Sequence, residues 1–221
     1  MRDAAMIGTI DRADFRAEVG ELTAVYGAAM LPPKEHLAGR RSMMERHTYH
    51  PQFRAVVVRP GAAGADGASG HDHEHGHSGG RNGNGNGQVI AFCYGFRGAA
   101  GQWWHDVVRV GLTTAAGERT ADAWLADSFE IAEVHVRPEF QRRGIGRAML
   151  LRLTQDRAQR TALLSTQDLP SPARHLYRSL GFTDLLTGFC FPGGGPPYAV
   201  MGAALPLAAS ASRLPPSPSR W

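Results

Sequence analysis

Apolar residues return at helical spacing early in the chain, where Phe15, Val19, Leu22, Val25 and Tyr26 share one helix face. Asp11 or Asp14 can cap the start of that helix, and the pair Pro32 and Pro33 ends it. Met6 to Ile10 ahead of it reads as a first strand. Lys34 to His47 predicts a second helix with Leu37 and Met44 inward, and the run FRAVVVR at residues 53–59 predicts a strand. The pattern then breaks. Residues 60–87 are mostly Gly, His, Asn and Ala, with almost nothing that could offset the entropy of ordering them, so they are expected to form a disordered insertion in a hairpin loop. The strand expected at residues 88–96, QVIAFCYGF, pairs back across it, because loop-closure entropy grows only logarithmically with length.

Trp103, Trp104, Val107, Val108, Trp124 and Leu125 then predict short helices or a lid over residues 102–112 and 119–126. Residues 129–136 read as a central strand. The helix predicted from Gly144 to about Arg160 carries an inward stripe of Ile145, Met149 and Leu153. A strand at 162–166, a helix at 173–179 and closing strands at 182–191 and 198–204 complete the set. The expected organisation is one domain over residues 1–206, interrupted at 60–87, with a low-complexity, disordered tail at 207–221.

Bulk properties narrow the classes. The chain has 221 residues, 43% of them hydrophobic, enough for one full core. A net charge of +4 suits a ligand with several phosphates and is too small to argue for nucleic acid. No stretch approaches the ~20 apolar residues of a membrane span, and the start of the chain lacks the order of a secretory signal, so a cytoplasmic protein without a membrane partner is expected. Cys93 and Cys190 have no metal-ligand spacing and are expected to be buried free thiols. His71, His73, His75 and His77 alternate inside the insertion, where imidazoles at that density bind Zn²⁺ or Ni²⁺. A zinc site needs ligands fixed on a folded frame, so a polar loop is favoured and no metal site is assigned.

The richest segment is residues 133–150, EVHVRPEFQRRGIGRAML. A strand ends at Pro138 and Gln141-Arg142-Arg143-Gly144-Ile145-Gly146 opens a helix. Helix starts leave about four amide N–H groups unpaired and carry partial positive charge, so such a loop can cradle a phosphate. Gly144 and Gly146 are expected to let the anion approach the backbone. The spacing lacks the Gly-Lys-Ser/Thr of the nucleotide P-loop and the third Gly of the dinucleotide fingerprint.

This segment resembles motif A of the GNAT N-acetyltransferases, Gln/Arg-x-x-Gly-x-Gly/Ala. Residues 171–182, SPARHLYRSLGF, resemble motif B, with Ala173, Leu176, Tyr177, Leu180, Gly181 and Phe182 on its pattern. One departure is Leu169-Pro170-Ser171-Pro172, where the family often has Asn. The resemblance implies an α/β architecture, the GNAT acyl-CoA N-acyltransferase fold, with a mixed and mostly antiparallel central sheet flanked by helices. It also implies acetyl-CoA as acyl-donor co-substrate, and a small-molecule amine or a protein lysine or N-terminus as acceptor. Dimerisation is common in the family, but no segment here demands it.

By the same resemblance, the backbone of Val134, His135 and Val136 would hold the pantetheine arm. The amides from Arg142 to Arg147 would take the pyrophosphate, so that Gln141, Arg142, Arg143, Gly144, Ile145, Gly146 and Arg147 form the cofactor-binding loop. Tyr177 would be the general acid for the departing thiolate, against the alternative of a core aromatic. Glu133 is the leading general base. In an alternating strand it shares a face with His135, and the alternative is a salt-bridged or solvated pair. Glu130 is a third candidate, and a water chain could replace any of them. The cluster Trp103-Trp104-His105-Asp106 is weighed as lining the acceptor pocket, against core tryptophans, the commoner fate. A reading of another class keeps the cradle but has no turnover: a binding module that senses acetyl-CoA.

Overall fold

The computed structural model describes residues 5–61 and 87–207. The histidine tract and nearly all of the two segments expected to be disordered lie outside the described residues. Among the described residues the order is β1 (Met6–Ile10), α1 (Arg12–Met30), α2 (His36–His47), β2 (Arg54–Arg59), β3 (Ala91–Arg97), α3 (Trp103–Ala116), α4 (Glu118–Leu125), β4 (Ser128–Val136), α5 (Ile145–Thr154), β5 (Thr161–Gln167), α6 (Pro172–Ser179), β6 (Thr183–Phe189) and β7 (Tyr198–Ala204). Asp11 caps α1 by accepting from the amides of Ala13 and Asp14 at 2.8 and 2.9 Å, and Leu31 closes it in a left-handed conformation before the two prolines. α5 stops at Thr154, short of the expected Arg160. Apolar periodicity ends at Leu153, and the chain turns through Asp156 at φ 57° to bring Arg160 N–H onto the Asp127 carbonyl at the foot of β5.

Seven strands form one sheet in the order β1-β2-β3-β4-β5-β7-β6. Every pairing is antiparallel except β4 with β5, which makes the sheet mixed and mostly antiparallel as expected. Alternating side chains feed opposite faces. Val56, Val58, Phe129 and Met201 pack with Met149, Leu150 and Leu153 of α5 and with Tyr177 of α6. On the other face Val57, Phe92 and Tyr94 pack under α1 and α2 with Phe15 and Leu22, while Leu163 and Val200 pack under α3 and α4 with Leu112 and Leu125.

Two expectations about core residues need correcting. Cys93 is buried but Cys190 is exposed, because β6 ends at Phe189 and the chain enters the loop from Pro192 to Gly195, three glycines of which have positive φ. Trp103 is 60% exposed and rests on Phe191, ring centroids 5.7 Å apart, instead of entering the core. No helix among the described residues is long and apolar enough to cross a membrane.

Candidate active site

The parallel strands β4 and β5 pair only from Ser128–Glu130 to Thr161–Leu163. Beyond Glu130 the remaining length of β4, Ile131 to Val136, has no strand partner on its β5 side, so its backbone groups line the cleft where the two strands part. The glycine loop follows the end of this open stretch and leads into α5. The amides of Arg142, Arg143, Gly144, Ile145 and Gly146 find no acceptor among the described residues, and the first bond of the new helix is Ala148 N–H to the Gly144 carbonyl. Five donors converging at a helix start suit a phosphate group.

The two glycines serve different ends. Gly144 adopts φ +80° at the helix cap with open space where a Cβ would be, so its glycine is a requirement of backbone conformation. A Cβ on Gly146 would lie 3.1 Å from Leu176 Cδ2, so this glycine lets α5 approach α6. Arg142 shares the left-handed conformation at φ 63°. Gln141 donates to the Val136 carbonyl at 3.0 Å and ties the loop to the end of β4. Arg143 donates to the Glu139 carbonyl and Arg147 to Ser179, so both guanidiniums brace the loop from outside.

The face of β4 toward α1 and α2 holds three ionisable side chains. A bulge opposite Tyr94 and Gly95 leaves Ala132 out of register, which brings Ala132 and Glu133 onto one face and places Glu130, Glu133 and His135 together there. The expected pairing of Glu133 with His135 is present, and it is the salt-bridged alternative. Glu133 accepts from Arg40 of α2 at 2.6 Å through Oε1 and from His135 Nε2–H through Oε2. Burial raises its pKa, but the His135 and Arg40 contacts outweigh that, leaving it below the ordinary carboxylate value. Both oxygens are committed, so Glu133 is a weak base. Tyr26 completes the group, edge-on to the His135 ring at 5.0 Å and under the Arg40 guanidinium at 4.6 Å. Glu133→Gln, which removes one partner of this nearly buried pair, is expected to cost about 1–3 kcal/mol in chemical denaturation, discounted for the partly exposed arginine.

Glu130 contrasts with it. It is buried at the vertex where β4 and β5 part, its side chain makes no hydrogen bond or ion pair among the described residues, and Oε2 is wholly enclosed without a partner. Burial alone pushes its pKa up to about 8. Deeper in the same face His47 Nδ1 and the Tyr94 hydroxyl are hydrogen-bonded at 3.0 Å, and burial lowers His47 to about 4, keeping it neutral.

Tyr177 lies on the α5 side of the cleft, buried against Phe182 with ring centroids 5.9 Å apart. Its hydroxyl has no hydrogen-bond partner among the described residues, and burial raises its pKa well above the ordinary phenol value. It therefore stays protonated and able to donate. Arg174, one turn earlier on α6, reaches Asp168 beyond β5 and Asp184 of β6, anchoring the helix that carries Tyr177. Cys93, also raised by burial, is chemically quiet. Among the described residues no cluster of His, Cys, Asp or Glu is placed to hold a metal.

Comparison with known proteins agrees with this geometry. Residues 85–184 match the acetyltransferase (GNAT) domain. The GCN5-like protein acetyltransferase Rv2170 of Mycobacterium tuberculosis is 34% identical over 198 residues, 88% of this chain and 95% of that protein. Among solved structures, the ribosomal-protein-S18-alanine N-acetyltransferase of Escherichia coli superposes with a TM-score of 0.53 at 15% identity, covering 96% of this chain and 100% of that one. The yncA structure from Salmonella typhimurium with its cofactor acetyl-CoA gives 0.50 at 18% identity, covering 96% and 99%. The chain belongs to the GNAT acetyltransferase family, whose acyl donor is acetyl-CoA.

Proposed function

We propose that this protein is an acetyl-CoA-dependent N-acetyltransferase that passes the acetyl group directly to a primary amine. The observation that carries the reading is the parting of β4 and β5 just after Glu130, which leaves the edge of β4 open up to the loop whose amides at residues 142–146 are unpaired among the described residues. The open edge of β4 at Val134, His135 and Val136 would hold the pantetheine arm by backbone hydrogen bonds, and the glycine loop would take the pyrophosphate. When bound, the donor supplies a thioester carbonyl for the amine nitrogen to attack.

The chain's own residues handle the protons. An acceptor arrives as an ammonium and must lose a proton first, and the free carboxylate form of Glu130 is the base best placed to take it. Its elevated pKa makes it a stronger base than an ordinary carboxylate. The C–N bond forms as the C–S bond breaks, and the Tyr177 hydroxyl donates to the departing sulfur. Glu133 serves as a fixed anion that orients His135 and Arg40 and attracts the incoming cation. The protein acetyltransferase among the relatives supports a lysine side chain or an N-terminus as the acceptor, ahead of a small-molecule amine.

A thiol-release assay with acetyl-CoA against small amines and lysine peptides tests the reading. Acceptor-dependent release is expected, and Tyr177→Phe is expected to lower kcat about 10- to 100-fold with unchanged acetyl-CoA affinity. Tight coenzyme binding with no turnover on any acceptor would instead indicate a binding module.

A further inference from the structure

If the cleft is a transferase site, the packing of the fold dictates the side from which the acceptor comes. One face of the β4–β5 cleft is flanked by α5 and α6, where Ile145, Met149, Leu176 and Tyr177 pack, and this is the side on which the donor would lie. The opposite face lies under α1 and α2 on the β4 side and under α3 and α4 on the β5 side, and it is the side left for an acceptor. On the β4 side that face carries the buried Glu130 and the Glu133–Arg40 pair. On the β5 side Ser165 lies two residues past Leu163, the last residue paired with β4, and so shares its face. The Ser165 hydroxyl accepts a hydrogen bond at 3.1 Å from Nε1 of Trp104, in the first turn of α3.

Trp104 is only half-buried, while its single polar atom is spent inward on Ser165. The part of the indole left uncovered is therefore carbon, a rigid aromatic surface on the sheet face that also carries Glu130 and Glu133. We propose that Trp104 is a specificity-determining residue for the acceptor, forming the β5-side wall of the cleft and holding a primary alkylammonium against Glu130. The ring attracts the cation and covers its methylene stem. It also excludes water without adding charge. A third carboxylate there would hold the proton on the amine, whereas a dry aromatic wall favours its release to Glu130. The helical segment between β3 and β4, whose α3 and α4 otherwise only cover β5, β7 and β6, thereby acquires a role in substrate choice. This inference rests on the transferase reading above.

The test compares wild type, Trp104→Leu and Trp104→Phe with n-pentylamine and Nα-acetyl-lysine methylamide as acceptors, varying acceptor and acetyl-CoA in turn with the other saturating. Leucine keeps most of the packing against the α3 core but loses the π face. Trp104→Leu is expected to raise the acceptor KM about 5- to 20-fold with the acetyl-CoA KM unchanged, and Trp104→Phe to stay within about threefold of wild type. Tetramethylammonium, which cannot be acetylated, is expected to compete with the amine in wild type and Trp104→Phe but not in Trp104→Leu. An unchanged acceptor KM in Trp104→Leu, equal changes in both KM values, or tetramethylammonium that never competes would overturn the assignment while leaving the transferase reading intact. Wild type that binds acetyl-CoA in calorimetry yet acetylates neither probe nor any lysine peptide would sink the transferase reading, and this inference with it.

Discussion

Glu130→Gln is expected to lower kcat about 100- to 1,000-fold, within the usual contribution of a positioned general base, and to leave acetyl-CoA affinity within about twofold. The amide keeps the shape and polarity of the buried carboxyl and removes only its ability to take a proton. The pH profile separates this role from a structural one. With the Glu130 pKa raised to about 8, most of the wild type is protonated and inactive as a base at neutral pH, so kcat/KM should rise with pH and level off above about 8. In Glu130→Gln that limb should vanish, leaving residual activity that follows the ionisation of the acceptor amine itself. A wild-type profile with no limb near 8, or a variant that keeps it, would transfer the role to Glu133, His135 or water.

The same residue makes an opposite prediction for stability. The Glu130 carboxyl holds its proton in the folded state up to about 8 but loses it near 4.5 when unfolded, so between these values only the unfolded state gains from ionising. Stability should therefore fall as pH rises from about 4.5 to 8, and the full penalty is present above that window. Glu130→Gln removes the penalty. Its melting temperature is expected to exceed that of wild type at pH 8.5 by several degrees and to match it near pH 4. A variant less active yet more stable is the signature of a group kept for chemistry at a cost to the fold.

Much of the scaffold was legible from one sequence, for identifiable reasons. Helix starts and glycine spacing are local signals, so the loop at residues 141–147 came through directly. The shared face of Glu133 and His135 followed from alternation and survives, because the irregularity in β4 precedes both residues. It is that irregularity which hid the relation of Glu130 to them. Plain alternation puts residues 130 and 133 on opposite faces, and only the bulge at Ala132, a property of β3 and β4 together, unites them. The partnership of Glu133 with Arg40 spans 93 positions and has no local signature, so the reading of Glu133 as base could not foresee that both its oxygens were taken. Trp103 failed as a core residue for a similar reason: helical spacing gives a face, but which helix face is covered is decided by distant strands.

The second large effect is expected at the cradle. Gly144→Glu should weaken coenzyme A binding by about 100-fold or more in calorimetry, because a carboxylate at the helix start competes for the free amides and repels the pyrophosphate. Open space surrounds the Gly144 Cβ position, so steric exclusion within the fold contributes nothing, and backbone strain at φ +80° can be measured separately with Gly144→Ala. Strain alone costs about 1–2 kcal/mol, so the alanine variant should lose less than about 30-fold in affinity, and Gly144→Asn, which tolerates the left-handed region, less still. Ligand truncation makes the contrast sharper. Pantetheine lacks the pyrophosphate, and its weaker binding should be indifferent to Gly144→Glu, since it meets only the open edge of β4. If coenzyme A and pantetheine suffer alike, the substitution has distorted β4 and says nothing of phosphate binding. If neither suffers, the five free amides of residues 142–146 do not hold the pyrophosphate, and the direction assigned to the donor along the cleft is wrong.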